Sequence, residues 1–259
     1  MQRPRPPYLD TRFAAMAHRG GWVVPGDRQR ENSAYAFRRA VELGYRYLEL
    51  DVHTTSDGVL VAFHDDMLDR VTDATGRIAD HPWAELSGVR IGGTDPIPRL
   101  DDLLDELGES RFNIDIKQAG AIGPLAATIR ARGAGDRVCV GSFSGARLAA
   151  FRKLAPDVLT SMPPRGVAVA THAIGLRRVL IDPGLALQIP VRQDGAPLPL
   201  VRPDVIRWAH AHGRVVHVWT VNDADEMRRL IDLGVDGLVS DDLSTLKEVL
   251  VERGLWEDR

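Results

Sequence analysis

The sequence predicts an α/β fold, a parallel (β/α)8 TIM barrel with a small insertion after the second strand and its hairpin. Two observations carry this. The chain has 259 residues, a length at which barrels commonly form one unit. Along it a short apolar strand, a polar turn and an amphipathic helix recur, with no fixed residue period. Eight strand segments can be picked out: Ala14–His18, Tyr47–Val52, Phe112–Ile116, Arg137–Ser142, Val158–Ser161, Leu185–Ile189, Val215–Thr220 and Gly237–Ser240. An open doubly wound sheet is the alternative arrangement of the same units.

The helices between them carry their own signals. Over residues 33–43, Ala34, Phe37, Ala40 and Val41 share one face, with a start at Asn32 or Ser33 and a stop at Gly44. Residues 121–132 repeat the pattern with Ile122, Leu125 and Ile129 before Gly133. Residues 203–212 open with Pro203 and close at Gly213. Residues 223–233 open with Asp223 and Glu226, resembling a capping box, and close at Gly234. Asp241 and Asp242 are read as a cap for the last helix, and Glu31 and Asn32 as a cap for the first.

Residues 47–64 break the simple alternation. Asp57-Gly58 is a two-residue hairpin signal. With those residues as the turn, Ser56 faces Val59 and Asp51 faces His64. Glu49 shares the face of Asp51 because strand side chains alternate, and His53 is a further neighbour on it, in a supporting or surface role. Residues 65–100 then form the insertion, covering part of the barrel mouth. Together 1–259 read as a single domain.

Composition narrows the function. Lys and Arg number 33 against 36 Asp and Glu, a net charge of −3, so no basic surplus argues for nucleic acid. The single Cys139 excludes a disulfide framework and a multi-cysteine metal site, and reads as a buried strand residue. No run of eighteen apolar residues suggests a membrane span, and the N-terminus lacks the apolar core of a signal peptide. The expected location is the cytoplasm, with peripheral membrane contact still compatible and oligomeric state open.

In a parallel barrel the chemistry sits at the C-terminal ends of the strands. There stand His18-Arg19-Gly20-Gly21, Glu49 and Asp51, His64-Asp65, Asp115 and Lys117, and Trp219. Carboxylates Glu49, Asp51 and Asp115 make an oxygen-donor site for a hard divalent cation, Mg²⁺ or Ca²⁺. His18 and His64 can divide the roles of general base and general acid. Arg19 and Lys117 add fixed positive charge suited to a phosphate. Trp219 is either a core filler or a wall for the substrate's alcohol group. His81, His172, His210 and His212 read as surface residues, and His217 as core or site. The proline-bearing segment Ile189–Pro203 reads as a stiff loop at the lip of the barrel.

These residues carry a resemblance. Ala17-His18-Arg19-Gly20, Glu31-Asn32-Ser33, Glu49-Leu50-Asp51-Val52, Thr55-Ser56-Asp57-Gly58 and Phe63-His64-Asp65 resemble the glycerophosphodiester phosphodiesterase family. So do Asn113-Ile114-Asp115-Ile116-Lys117, Val218-Trp219-Thr220-Val221-Asn222 and Gly234-Val235-Asp236-Gly237. The match runs over residues 14–242. The resemblance implies a (β/α)8 barrel that cleaves glycerophosphodiesters to an alcohol and glycerol 3-phosphate with one divalent metal, Mn²⁺ being a further candidate. It implies His18 and His64 as the acid–base pair, and Glu49 and Asp51 as metal ligands. It also implies Arg19 and Lys117 near the phosphate. Asp115 stands where the family has a Glu, one methylene longer, and Ser33 where it commonly has Thr. The family's Pro after the last Thr-Asp is absent from Ser240-Asp241-Asp242-Leu243. Rival readings are a lysophospholipase D-type enzyme on lipid substrates, a non-catalytic phosphate-ligand barrel, and a purely structural barrel.

Overall fold

The computed structural model of the chain describes residues 6–172, 182–192 and 198–257. Among these, eight parallel strands form the barrel: β1 (Ala14–Trp22), β2 (Tyr47–Thr54), β6 (Arg111–Ile116), β7 (Val138–Gly141), β8 (Leu159–Thr160), β9 (Ala186–Pro190), β10 (Val215–Trp219) and β11 (Gly237–Asp242). Their spatial order is β8-β7-β6-β2-β1-β11-β10-β9. A parallel bridge between Ser161 and Ala186 joins the two ends, so the barrel closes. The short β3 (Leu60–Ala62) pairs antiparallel with β2, and β4 (Arg90–Ile91) pairs with β5 (Asp95–Pro96) outside the barrel. All eight predicted strands are present, and the open-sheet alternative fails on the closure.

Side-chain alternation explains how one sequence serves both faces of each strand. In β2, Leu48, Leu50 and Val52 are buried in the main core with Phe37 and Ala40 of the first helix. Tyr47, Glu49, Asp51 and His53 occupy the other face, toward the barrel axis. In β6, Phe112, Ile114 and Ile116 join the outer core, leaving Asn113 and Asp115 inside. The interior is apolar near the N-terminal ends, where Ala14, Met16, Tyr47, Cys139, Val215 and Val239 pack with Tyr8 and Leu9. It becomes polar toward the other end. Cys139 is fully buried there, and burial pushes its thiol pKa well up, so it is not a nucleophile.

The helices are α1 (Ala34–Glu42), α2 (Trp83–Leu86), α3 (Leu100–Glu106), α4 (Ile122–Ala131), α5 (Gly145–Leu154), α6 (Pro164–His172), α7 (Pro203–Ala211), α8 (Ala224–Leu233) and α9 (Leu243–Glu252). Ser33 caps α1 by accepting from Ala36 N–H. Neither Glu31 nor Asn32 does so, because both are drawn into the site. Asp223 caps α8 by accepting from Glu226 N–H, but the Glu226 side chain pairs with Arg229, so only half of the predicted capping box forms. Asp242 caps α9 through Thr245 N–H. Asp241 does not, since its side chain points to His18.

The β2–β3 hairpin differs from its predicted register by one residue. Val52 pairs with Ala62 and Thr54 with Leu60, so Asp51 lies across from Phe63, not His64. The turn takes three residues, Ser56 to Gly58, between Thr55 and Val59, with Gly58 in the left-handed region at φ +84°. The Thr55 hydroxyl bonds Asp57 and accepts from Val59 N–H, which favours this wider loop over the two-residue one. The insertion carries α2 and the β4–β5 ribbon, and its Leu68, Ile78 and Ile91 form a second core with Val61 and Phe63 of the hairpin. Of the proline-rich lip, residues 193–197 with Pro197 lie outside the described residues.

Candidate active site

The end of β1 shapes the first wall. Arg19, Gly20 and Gly21 all have positive φ, at 52°, 85° and 61°. A Cβ on Gly20 would stand 2.7 Å from Ala36 Cβ, and one on Gly21 would stand 2.8 Å from the Asp241 carbonyl oxygen. Only glycine lets this turn press against α1 and the β11 end. The turn aims Arg19 N–H at Glu49, with Oε2 accepting at 3.0 Å. Asn32, also left-handed at φ 58°, donates from its side chain to Asp51 at 3.2 Å. Asn tolerates this conformation better than most residues.

The structure brings the predicted charged residues together in one cavity. His18, Arg19, Glu49, Asp51, His64, Asp115, Lys117 and Trp219 all line a space of about 700 Å³ at the C-terminal ends of the strands. Lys117 Nζ lies 2.8 Å from both Asp51 and Asp115, and Arg19 Nε lies 3.3 Å from Asp51. Burial alone would raise the Asp51 pKa, but Lys117 and Arg19 outweigh it and hold the carboxylate ionised. Burial would lower Lys117; its two carboxylate partners raise it instead. Asp115 is raised by burial that Lys117 offsets only in part. Glu49 is pushed up to about 7, first by burial and then by the charge of Asp51. Glu49 therefore gives up its proton less readily than an ordinary carboxyl group.

Each histidine is braced by its own carboxylate. His18 Nδ1 donates to Asp241 at 2.6 Å, and Asn222 donates to the other oxygen of Asp241 at 2.8 Å. Asn222 also accepts from the backbone N–H of Asp241 and from the Ser240 hydroxyl. Burial would lower His18, yet Glu49 and Asp241 outweigh it and the pKa rises. His64 Nδ1 donates to Asp65 at 2.5 Å. Arg70 then ties Asp65 at 2.5 Å to Glu31 at 2.6 Å, and Glu31 meets Arg19 at 3.1 Å. Burial would raise Asp65, but Arg70 and His64 take its pKa down to about 2. Each brace selects a tautomer and leaves Nε2 outside the brace.

Other sequence readings change. His53 is buried, with its ring against the His64 carbonyl at 3.0 Å, so it is not a surface residue. His172, at the end of α6, borders the cavity, whereas His210 pairs with Asp236 outside it. His217 is buried inside the barrel. Trp219 lines the cavity and packs edge-on against Phe143, with ring centroids 5.6 Å apart. Asp65, Asn222 and Asp241 stood at the predicted strand ends without a role in the site, and Arg70 was not foreseen at all. Asp65 had a signal, its adjacency to His64. Asp241 had one in its parity with Val239, which faces the cavity.

The donor chemistry suits a hard dication. Glu49, Asp51 and Asp115 are oxygen donors at neighbouring strand ends. Among the described residues no ready-made cluster of three or more acidic, His or Cys ligands stands at coordination geometry. Lys117 holds one oxygen each of Asp51 and Asp115 instead.

A closed parallel barrel with braced histidines and fixed cations at its C-terminal rim has the features of an enzyme of the barrel class. The chain belongs to the glycerophosphoryl diester phosphodiesterase family, whose model matches residues 18–245. It is 38% identical over 250 residues to Probable glycerophosphodiester phosphodiesterase 2 of Mycobacterium tuberculosis, covering 94% of this chain and 92% of the relative. It is 30% identical to a glycerophosphodiester phosphodiesterase of Caldanaerobacter subterraneus, covering 92% and 98%. In fold it is similar to a glycerophosphodiester phosphodiesterase from Agrobacterium tumefaciens, with a TM-score of 0.74, 24% identity and coverage of 90% and 99%. No helix among the described residues is long and apolar enough to cross a membrane.

Proposed function

We propose that the chain hydrolyses glycerophosphodiesters to an alcohol and glycerol 3-phosphate by His18/His64 acid–base catalysis, in a metal-dependent way. The observation that supports this best is the pair of histidines lining one cavity, each held through Nδ1 by a separate carboxylate. One Nε2 takes the proton of the attacking oxygen, from water or from the neighbouring glycerol hydroxyl. The bond from phosphorus to the departing alcohol oxygen breaks, and the other Nε2 gives that oxygen a proton. In the hydroxyl route, water then opens the cyclic phosphate by the same exchange. Arg19 and Lys117 orient the phosphate and offset its charge. Glu49, Asp51 and Asp115 would hold one divalent cation, Mg²⁺, Ca²⁺ or Mn²⁺, which when bound supplies further positive charge to the phosphate oxygens. The cytoplasm is the proposed setting, and a small-molecule diester the proposed substrate.

The test is release of glycerol 3-phosphate from a panel of glycerophosphodiesters by protein stripped with chelator and then given each metal. Turnover should return with at least one metal, and His18→Ala should lower kcat/KM by about 10³-fold or more. Undiminished turnover in chelator removes the metal dependence. Full activity in His18→Ala removes the acid–base assignment.

A further inference from the structure

The cavity is much larger than a glycerophosphate needs. Its volume of about 700 Å³ lies in the range, ~300–1,000 Å³, that holds drug-sized ligands. The charged residues occupy one side, at the ends of β1, β2 and β6. The opposite side is built from Phe143, Met162, Val167, Leu200 and Trp219, on the ends of β7 to β10 and on α6. Phosphate held by Arg19 and Lys117 leaves this apolar arc for one of the two alcohols esterified to it.

From this we infer that the arc is a subsite for a neutral, alkyl-bearing leaving alcohol, and that it discriminates against cationic alcohols. The inference rests on the hydrolysis proposed above. Two features favour a neutral occupant. First, among the described residues lining the cavity, the only carboxylates are Glu49, Asp51 and Asp115, all at the charged end. Asp51 and Asp115 are held by Lys117, and Glu49 is turned to the Arg19 backbone. The ionisable group on the far side is His172, a base. Second, the aromatic wall already faces a cation, since Lys117 Nζ lies 5.6 Å from the centre of the Phe143 ring. That ring face is already engaged and offers a second cation less attraction. Phe143 is 62% exposed at the cavity rim, an apolar surface left for a ligand to cover.

The experiment compares two isosteres, the choline and the 3,3-dimethylbutyl esters of glycerol 3-phosphate, which differ in a quaternary nitrogen against a carbon. Two quantities are read: kcat/KM in the metal-loaded enzyme, and Kd by calorimetry in the metal-loaded His18→Ala variant. The neutral ester should be favoured by about 10-fold or more in both. Linear esters from ethyl to hexyl should improve by up to about fourfold per methylene, the gain from burying one CH₂ group. Ala168→Asp, on the exposed cavity face of α6, should move the ratio toward choline. Equal or better handling of the choline ester, a flat alkyl series, or a ratio indifferent to Ala168→Asp overturns the subsite. Should no ester be cleaved, the hydrolysis reading fails by itself, and the calorimetric ratio in His18→Ala still decides the subsite.

Discussion

The two sides of the barrel mouth are stabilised by different physics. On the side of β1, β2 and β6, nearly every polar atom answers to another. Lys117 bridges Asp51 and Asp115, and the chain Arg19–Glu31–Arg70–Asp65–His64 reaches from the first strand into the insertion. On the side of β7 to β10 the walls are Phe143, Met162, Leu200 and Trp219, held by packing. Directional contacts fix where each charged group sits. Packing fixes only a shape, so this side can vary in what it accepts. In the proposed mechanism, placed charge serves catalysis on one side of the cavity and packing serves binding on the other.

Four measurements sharpen or break that contrast. The largest effect is expected from Lys117→Met on the charged side. It would leave Asp115 buried without its cation and Asp51 with Arg19 alone, at a cost of about 3–5 kcal/mol. Urea unfolding in chelator checks this, and an unchanged midpoint would mean that the carboxylates are not uncompensated. Next is Glu49. Its folded pKa is raised above the ordinary carboxylate value, so the unfolded chain releases this proton first as pH rises. Its contribution therefore weakens stability as pH climbs from about 4.5 to about 7, in metal-free protein, by up to about 3 kcal/mol. Glu49→Gln should flatten that slope, and an identical slope in the variant would sink the assignment. A smaller loss follows from Asp241→Asn, which keeps the shape but weakens the hold on His18 Nδ1. It should lower kcat by about 10- to 100-fold with little change in KM, since the histidine acts in the transition state. A change confined to KM would mean that Asp241 serves binding only. The smallest effect belongs to the apolar side. Phe143→Ala should raise KM a few-fold for alkyl esters and leave kcat nearly alone, because it removes uniform binding. A large fall in kcat would end the division of labour described above.

Much of the charged side was legible in the sequence. Strict alternation in Tyr47–Thr54 and Arg111–Ile116 places Glu49, Asp51 and Asp115 inside the barrel, whatever the rest of the chain does. The run His18-Arg19-Gly20-Gly21 marks a tight turn at a strand end. The apolar side was hardly legible. Met162, Val167 and Leu200 are ordinary core residues by composition, and only closure of β8 on β9 turns them toward the cavity.

The sequence by itself determined the number and kind of strands, the inward face of each, and the carboxylates and histidines at their ends. Period-two alternation and glycine turns are local, and local physics is written in consecutive residues. Tertiary structure alone decided the partners. The Thr55–Asp57 contact shifted the hairpin by one residue. Pairing of β11 with β1 brought Asp241 to His18 across 223 positions of chain. Arg70 reached back from the insertion to Glu31 and Asp65. Such pairings depend on how twisted strands meet after the sheet has curled round, and that geometry has no counterpart in residue spacing.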